Sequence, residues 1–228
     1  MRKVAILVDG GFFHRRANAL WGDNAPAAQR AEELLVYCRS HTSHYDERAL
    51  LYRIFYYDCP PSSAAVYHPL LQKQIELKRT SLYSWMTEFH SELTAKRKVA
   101  LRFGRLSHVG VGYTLSSDTI KKLCSGKILW ANLKEEDFIL NMTQKGVDMR
   151  IGVDISSIAY KKQVDQIVLI AGDSDFVPAA KVARREGIDF ILDPMHQNIS
   201  KDLQEHIDGL RSKPRPNLDA RKEKDCRK

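Results

Sequence analysis

Cysteine is scarce and scattered: the four in 228 residues, Cys38, Cys59, Cys124 and Cys226, form no CxxC pair. That spacing argues against a zinc cluster and against a disulfide framework, and makes a reducing cytoplasm the expected compartment. The eight histidines are equally dispersed. His41 and His44 stand close enough to pair on a helix, but a solvated pair is the favoured reading. No stretch approaches the eighteen or so apolar residues that a bilayer span needs, so no membrane is expected. The first apolar run, Val4 to Val8, is cut by Asp9 and lacks a small-residue cleavage site, which excludes a signal peptide. No internal repeat is visible.

What is present suits one α/β core with an insertion: 228 residues, 43% apolar and 28% charged. The domain is expected over residues 1–212, with a basic, partly helical insertion at about 60–140 and a disordered basic tail at 213–228. Net charge is +8. The tail holds seven Lys or Arg against three acids, a net of +4, and residues 73–105 hold eight against three, a net of +5. Such excesses attract polyanions at long range, and nucleic acid, whether RNA or DNA, is the expected partner, with a homodimer left open.

Periodicity orders the elements. Lys3 to Val8 reads as a β-branched strand ending in Asp9-Gly10-Gly11, whose glycines permit a tight turn. A helix runs from Pro26 to about His41, and Leu50 to Tyr57 is a strand stopped by Asp58-Cys59-Pro60-Pro61. Leu70, Leu71, Ile75, Leu77, Leu82, Trp85, Met86, Phe89 and Leu93 recur with helical spacing between Tyr67 and Arg97. The aromatics of this stretch are read as core rather than as a base-stacking platform. Val99 to Leu106 looks like a strand, and residues 118–142 a weak helix. Between Gln144 and Tyr160 the apolar residues fit both periods, but a parallel strand at 166–171 needs a crossover before it, which selects helix. A helix then runs to Glu186 with Gly187 as its left-handed cap, followed by a strand Ile188 to Leu192 and a helix near Ser200 to Leu210.

Ile167 to Ala171 is apolar on both faces and runs into Gly172-Asp173-Ser174-Asp175-Phe176. Pro178 suits the first turn of the next helix, with Ser174 or Asp175 as its cap. Asp9, Asp148, Asp173 and Asp175 therefore stand at element ends that can converge, where open α/β sheets place their active sites. Four carboxylates in one crevice repel, so a hard divalent cation is the natural counter-charge, and oxygen-only ligands favour Mg²⁺ or Mn²⁺ over zinc. A basic protein holding such a cation is suited to phosphodiester hydrolysis. Asp154 is a weaker candidate: six positions at about 100° each carry it about 240° around the helix from Asp148. Asp193 closes the next strand and is expected at the rim.

Three motifs carry a resemblance. Val4-Ala5-Ile6-Leu7-Val8-Asp9-Gly10, then Lys145-Gly146-Val147-Asp148 with Asp154 following, then Gly172-Asp173-Ser174-Asp175-Phe176, are similar in order and separation to the motifs of the NYN domain. This is a branch of the PIN-like nucleases that includes LabA-type bacterial proteins. The resemblance reaches from residue 3 to about 210, with 60–140 unanchored. It implies a Rossmann-like three-layer α/β/α sandwich with a mostly parallel sheet, and metal-dependent RNA cleavage with Asp9, Asp148, Asp173 and Asp175 as catalytic ligands. Asp154 is implied as an outer member. One position departs: many relatives place Asn three residues after the first acid, and here Phe12 stands there. Lys145, Ser174, Arg102 and Arg105 are the candidate substrate contacts. The expected protein is thus a cytoplasmic Mg²⁺- or Mn²⁺-dependent ribonuclease. Its alternatives are an RNA-binding or regulatory module that keeps the fold without cutting and, less favoured, a small-molecule phosphatase.

Overall fold

Val4 to Val8 carries no polar side chain, so the strand it forms is stable only when covered on both faces. In the computed structural model, which describes residues 1–44, 47–107 and 110–218, all five side chains are fully buried. They lie at the centre of the first of two units, made of residues 1–58, 88–104 and 146 onward. Its elements are β1 (Lys3–Asp9), α1 (Gly10–Trp21), α2 (Ala27–Ser40), β2 (Leu50–Asp58), α3 (Ser81–Thr94), β3 (Val99–Phe103), α4 (Val147–Tyr160), β4 (Gln166–Ile170), α5 (Val177–Arg185), β5 (Asp189–Asp193), α6 (Lys201–Glu205) and β6 (Gly209–Leu210). Of α3, residues from Glu88 onward belong to this unit.

The sheet has the order β6-β5-β4-β1-β2-β3, and every neighbouring pair is parallel. Numbered along the chain from the edge, this is the 3-2-1-4-5-6 order, which reverses direction between β1 and β4 and opens a crevice at their carboxyl ends. With helices flanking it, the α/β class expected from the sequence is the class observed. β1 pairs β4 from Val4 with Gln166 to Val8 with Ile170, so Asp9 and Gly172-Asp173 both continue past the same end of the sheet.

The second unit, residues 59–87 and 105–145, is built mainly of short antiparallel pairs: 65–68 with 73–76, and 112–115 with 138–141. Helix is therefore not found over Tyr67–Arg97 as a whole, only at 81–94. Residues 65–68 alternate exposed and buried, and Gln72 takes a positive φ of 50° in the turn, so hairpin pairing overrides the helical spacing of the leucines. In 118–142 helix covers only Ser117–Cys124, ended by Gly126 at φ 70°, and Phe138–Asn141 is strand.

In the first unit, the expected turn at Gly10-Gly11 is the start of α1, whose buried Phe12, Phe13, Ala17 and Trp21 outweigh two poor helix formers. The last helix stops at Glu205 because Asp208 is pulled to the sheet: its carboxylate accepts from Phe190 N–H (2.8 Å) and Arg184 Nε (2.8 Å). His41 is not solvated but fully buried, with Nε2 2.8 Å from Asp193, and Asp193 is core rather than rim. Of the basic tail, Lys213 N–H donates to Tyr37 OH and Arg215 pairs with Glu33, while residues 219–228 lie outside the described residues.

Candidate acidic site at the sheet switch point

Asp9 ends β1 and caps α1, its carboxylate accepting from Phe12 N–H at 3.0 Å. Burial pushes its pKa up from 3.8 to about 6. The Phe12 N–H opposes that rise, and the negative fields of Asp148 and Asp58 add to it. Gly10 follows because a Cβ there would stand 2.6 Å from both Tyr56 OH and Tyr57 O.

Asp148 lies in the first turn of α4, where the helix dipole favours an acid. Gly146 precedes it in the left-handed region, φ 79°, which explains the glycine in Lys145-Gly146-Val147-Asp148. Partial burial and then the charges of Asp173 and Asp175 raise the Asp148 pKa. Asp148 is thus the link: Asp9 feels it on one side, and the other two acids act on it from the other.

Asp173, not Ser174 or Asp175, is the capping residue after β4. Its carboxylate accepts from Asp175 N–H at 3.1 Å and opens a short 3₁₀ turn at Ser174–Phe176 that leads into α5. Asp173, Ser174 and Asp175 are all exposed. An open groove of about 460 Å³ leaves Asp148 and Asp175 between α4 and α5, walled by Met149, Val153, Pro178 and Val182.

Asp154 points elsewhere. It accepts from Tyr57 OH (2.8 Å) and Arg102 Nε (3.2 Å), so Arg102 holds a carboxylate in place. Lys145 and Arg105 belong to the second unit, where they are partners in a two-residue antiparallel ladder and are exposed.

Phe12 has a physical reason. Its ring covers Gly172, where a Cβ would come within 2.5 Å of Phe12 Cε2. The place where the resemblance leads one to expect Asn is here a hydrophobic contact joining the first motif to the third.

Sequence reasoning missed Asp58. It is 2% exposed at the end of β2, accepts from Tyr56 OH (3.2 Å), and lies 3.2 Å from His90 Nε2 and 3.9 Å from His14 Nε2. Burial lowers the His14 pKa to about 4, so the ring is neutral near pH 7. The signal was available: Asp58 closes its strand as Asp9 and Asp193 close theirs.

The donor set is all carboxylate, and the partly buried charge of Asp9 is offset only in part by Phe12 N–H and the field of Arg15, a chemistry that fits a hard cation. Among the described residues, however, no three His, Cys, Asp or Glu side chains form a group that could hold a metal ion in this arrangement.

A parallel sheet in switch-point order, with acids following the ends of its strands, is an α/β architecture of the Rossmann-like kind. Residues 117–211 match the family described as the NYN domain, which has a nuclease-like fold. The second and third motifs lie inside the match, and the first lies outside it. Among solved structures the chain is similar to a protein of unknown function from Vibrio parahaemolyticus, at 14% identity and a TM-score of 0.48 over 93% of each chain. It is also similar to a structure described under the mechanism and regulation of Sir2 enzymes, at 9% identity and a TM-score of 0.34, over 93% of this chain and 86% of that one. No curated protein matches the chain. No helix among the described residues is long and apolar enough to cross a membrane.

Proposed function

We propose that this protein is a cytoplasmic ribonuclease that hydrolyses RNA phosphodiester bonds with a divalent cation, Mg²⁺ or Mn²⁺. The observation that carries the reading is that Asp9 and Asp173 follow the paired strands β1 and β4 past one end of the sheet, while at Asp148, in the first turn of α4, the charges of Asp173 and Asp175 add to the pKa rise that burial causes. Asp9, Asp148, Asp173 and Asp175, which form no ligand cluster in the arrangement described, would have to draw together to hold the cation, which when bound would lower the pKa of an attacking water and neutralise charge on the scissile phosphate. The chain's own residues prepare for this. The cap bond of Asp9 and the turn bond of Asp173 fix two carboxylates at the crevice, while Tyr57 and Arg102 hold Asp154 aside. The open groove beside Asp148 and Asp175 leaves room for a bulky polymer substrate.

Asp173→Asn removes one charge while Asn can still accept the Asp175 N–H. RNA cleavage is expected to be lost, with RNA affinity in EDTA and the melting profile unchanged. Full activity in the purified variant would end the nuclease assignment. A second reading, an RNA-binding module that keeps the fold, is favoured by Phe12 filling the place of the Asn. Incubating labelled RNA with Mn²⁺ or with EDTA decides between them, because bound RNA without products in both tubes selects the module.

A further inference from the structure

The helix α1 carries three consecutive side chains that can bear positive charge, and the two outer ones are engaged within the fold. His14 Nε2 lies 2.9 Å from Tyr56 OH. Arg16 donates to the Met195 carbonyl from Nε at 3.2 Å and from a terminal nitrogen at 2.7 Å. That braces the turn after β5, where Met195 and His196 both take positive φ. Arg15, between them, is exposed and makes no ion pair or side-chain hydrogen bond among the described residues.

Its place on the helix separates Arg15 from an ordinary solvated arginine. Helical side chains lean toward the amino end of their helix, and positions three and four apart share a face. Arg15 therefore lies back over Gly11 and Phe12, in the first turn of α1. Gly11 has no side chain to fill that surface, and the buried Phe12 ring rests on Gly172, one residue before Asp173. Arg15 thus stands over the joint between the first and third motifs. Asp9, which caps the same turn, feels the Arg15 charge, but its carboxylate accepts from Phe12 N–H and forms no ion pair with the guanidinium. The donors of Arg15 are left for a ligand. Asp148, Asp173 and Asp175 are exposed and repel an approaching phosphate, so Arg15 supplies the opposite charge at the Asp9 end of the crevice.

We infer that Arg15 is a phosphate clamp, gripping the backbone of a bound nucleic acid beside the first acidic motif. A guanidinium presents two parallel N–H groups to two phosphate oxygens, which an ammonium cannot do. Such a contact fixes the register of the strand without reading its sequence. The inference rests on nucleic acid being the ligand, as proposed above, but not on its cleavage.

Binding of a labelled oligouridylate is measured in EDTA by anisotropy at several salt concentrations, for the wild type, Arg15→Ala, Arg15→Lys and Lys161→Ala. Lys161 is exposed at the carboxyl end of α4, about 20 Å along the helix from Asp148, and reports the loss of a charge away from the crevice. Arg15→Ala is expected to weaken binding about tenfold and to flatten the slope of log affinity against log salt by about 0.7, one phosphate of a single strand. Arg15→Lys is expected to keep the slope and recover part of the affinity, because the charge remains and the paired donors do not. Melting is expected to be unchanged in all three variants, since both side chains are exposed. Unchanged affinity in Arg15→Ala, an equal loss in Lys161→Ala, or a slope in Arg15→Lys as flat as in Arg15→Ala would each overturn the clamp alone. No binding by the wild type would overturn the nucleic-acid reading with it. Arg15-dependent binding of polyglutamate that oligouridylate does not compete would also overturn the clamp, by giving the guanidinium to an acidic protein.

Discussion

Asp9 shows how a single side chain couples stability to chemistry. Its pKa is about 6 in the folded protein against 3.8 for the ordinary carboxyl, so the folded state holds this proton more tightly than the unfolded one. The sign follows: stability associated with Asp9 is fully present below pH 4 and is lost as pH rises through about 6, by up to about 3 kcal/mol. Asp9→Asn keeps a capping oxygen for Phe12 N–H and removes the buried charge. In EDTA the variant is therefore expected to melt close to the wild type at pH 4 and above it at pH 8, with the gap opening between those values. Thermal melts across that range check this, and an equal gap at both ends would mean that the buried charge is not what separates them. Asp9 and Asp173 were legible as candidates because acids that close apolar strands stand out. Asp58 stands at the same kind of position, but the histidines beside it, His14 and His90, are remote in sequence and meet it only in the folded chain.

At the scale of elements, the joint between α1 and the turn after β4 is the closest fit in the site. Gly172 has no space for a methyl group, because Phe12 Cε2 would lie 2.5 Å from it. Gly172→Ala is expected to destabilise by about 1–3 kcal/mol through overpacking, and adding Phe12→Leu to recover part of that loss. Urea melts of the single and double variants measure the coupling, and strictly additive effects would show that the two elements do not meet through this contact. The helix α4 and the strands β1, β2, β4 and β5 were legible from period and breakers. The start of α1 was not, since Gly10 and Gly11 imitate a turn while Asp9 caps a helix. Nor was the hairpin at 65–76, whose alternation is set by pairing across a turn rather than by local preference.

For the molecule as a whole, charge is the property that acts furthest. A net charge of +8 draws in a polyanion before any contact forms. Binding to RNA in EDTA is expected to weaken about tenfold or more between 50 and 200 mM salt, as neutralising three or more phosphates requires. Anisotropy titrations at several salt concentrations read this directly, and a flat response would favour a small-molecule phosphate ester as substrate. The division into two units was not visible along the chain, because each is assembled from separated segments: 59–87 and 105–145 make one, and the residues around and between them the other.

The amino-acid sequence alone determined that a parallel α/β sheet forms and which of its strands end in acids, because burial on both faces demands unbroken apolar runs and a carboxylate cannot continue them. Only the tertiary structure decided that Asp148 lies near enough to Asp9, Asp173 and Asp175 for their charges to be felt, that Asp154 is held by Tyr57 and Arg102, and that Phe12 closes over Gly172. Those outcomes depend on strand order and on side chains meeting across 52 residues for Arg102 and Asp154 and 97 for Tyr57 and Asp154, which no local pattern encodes.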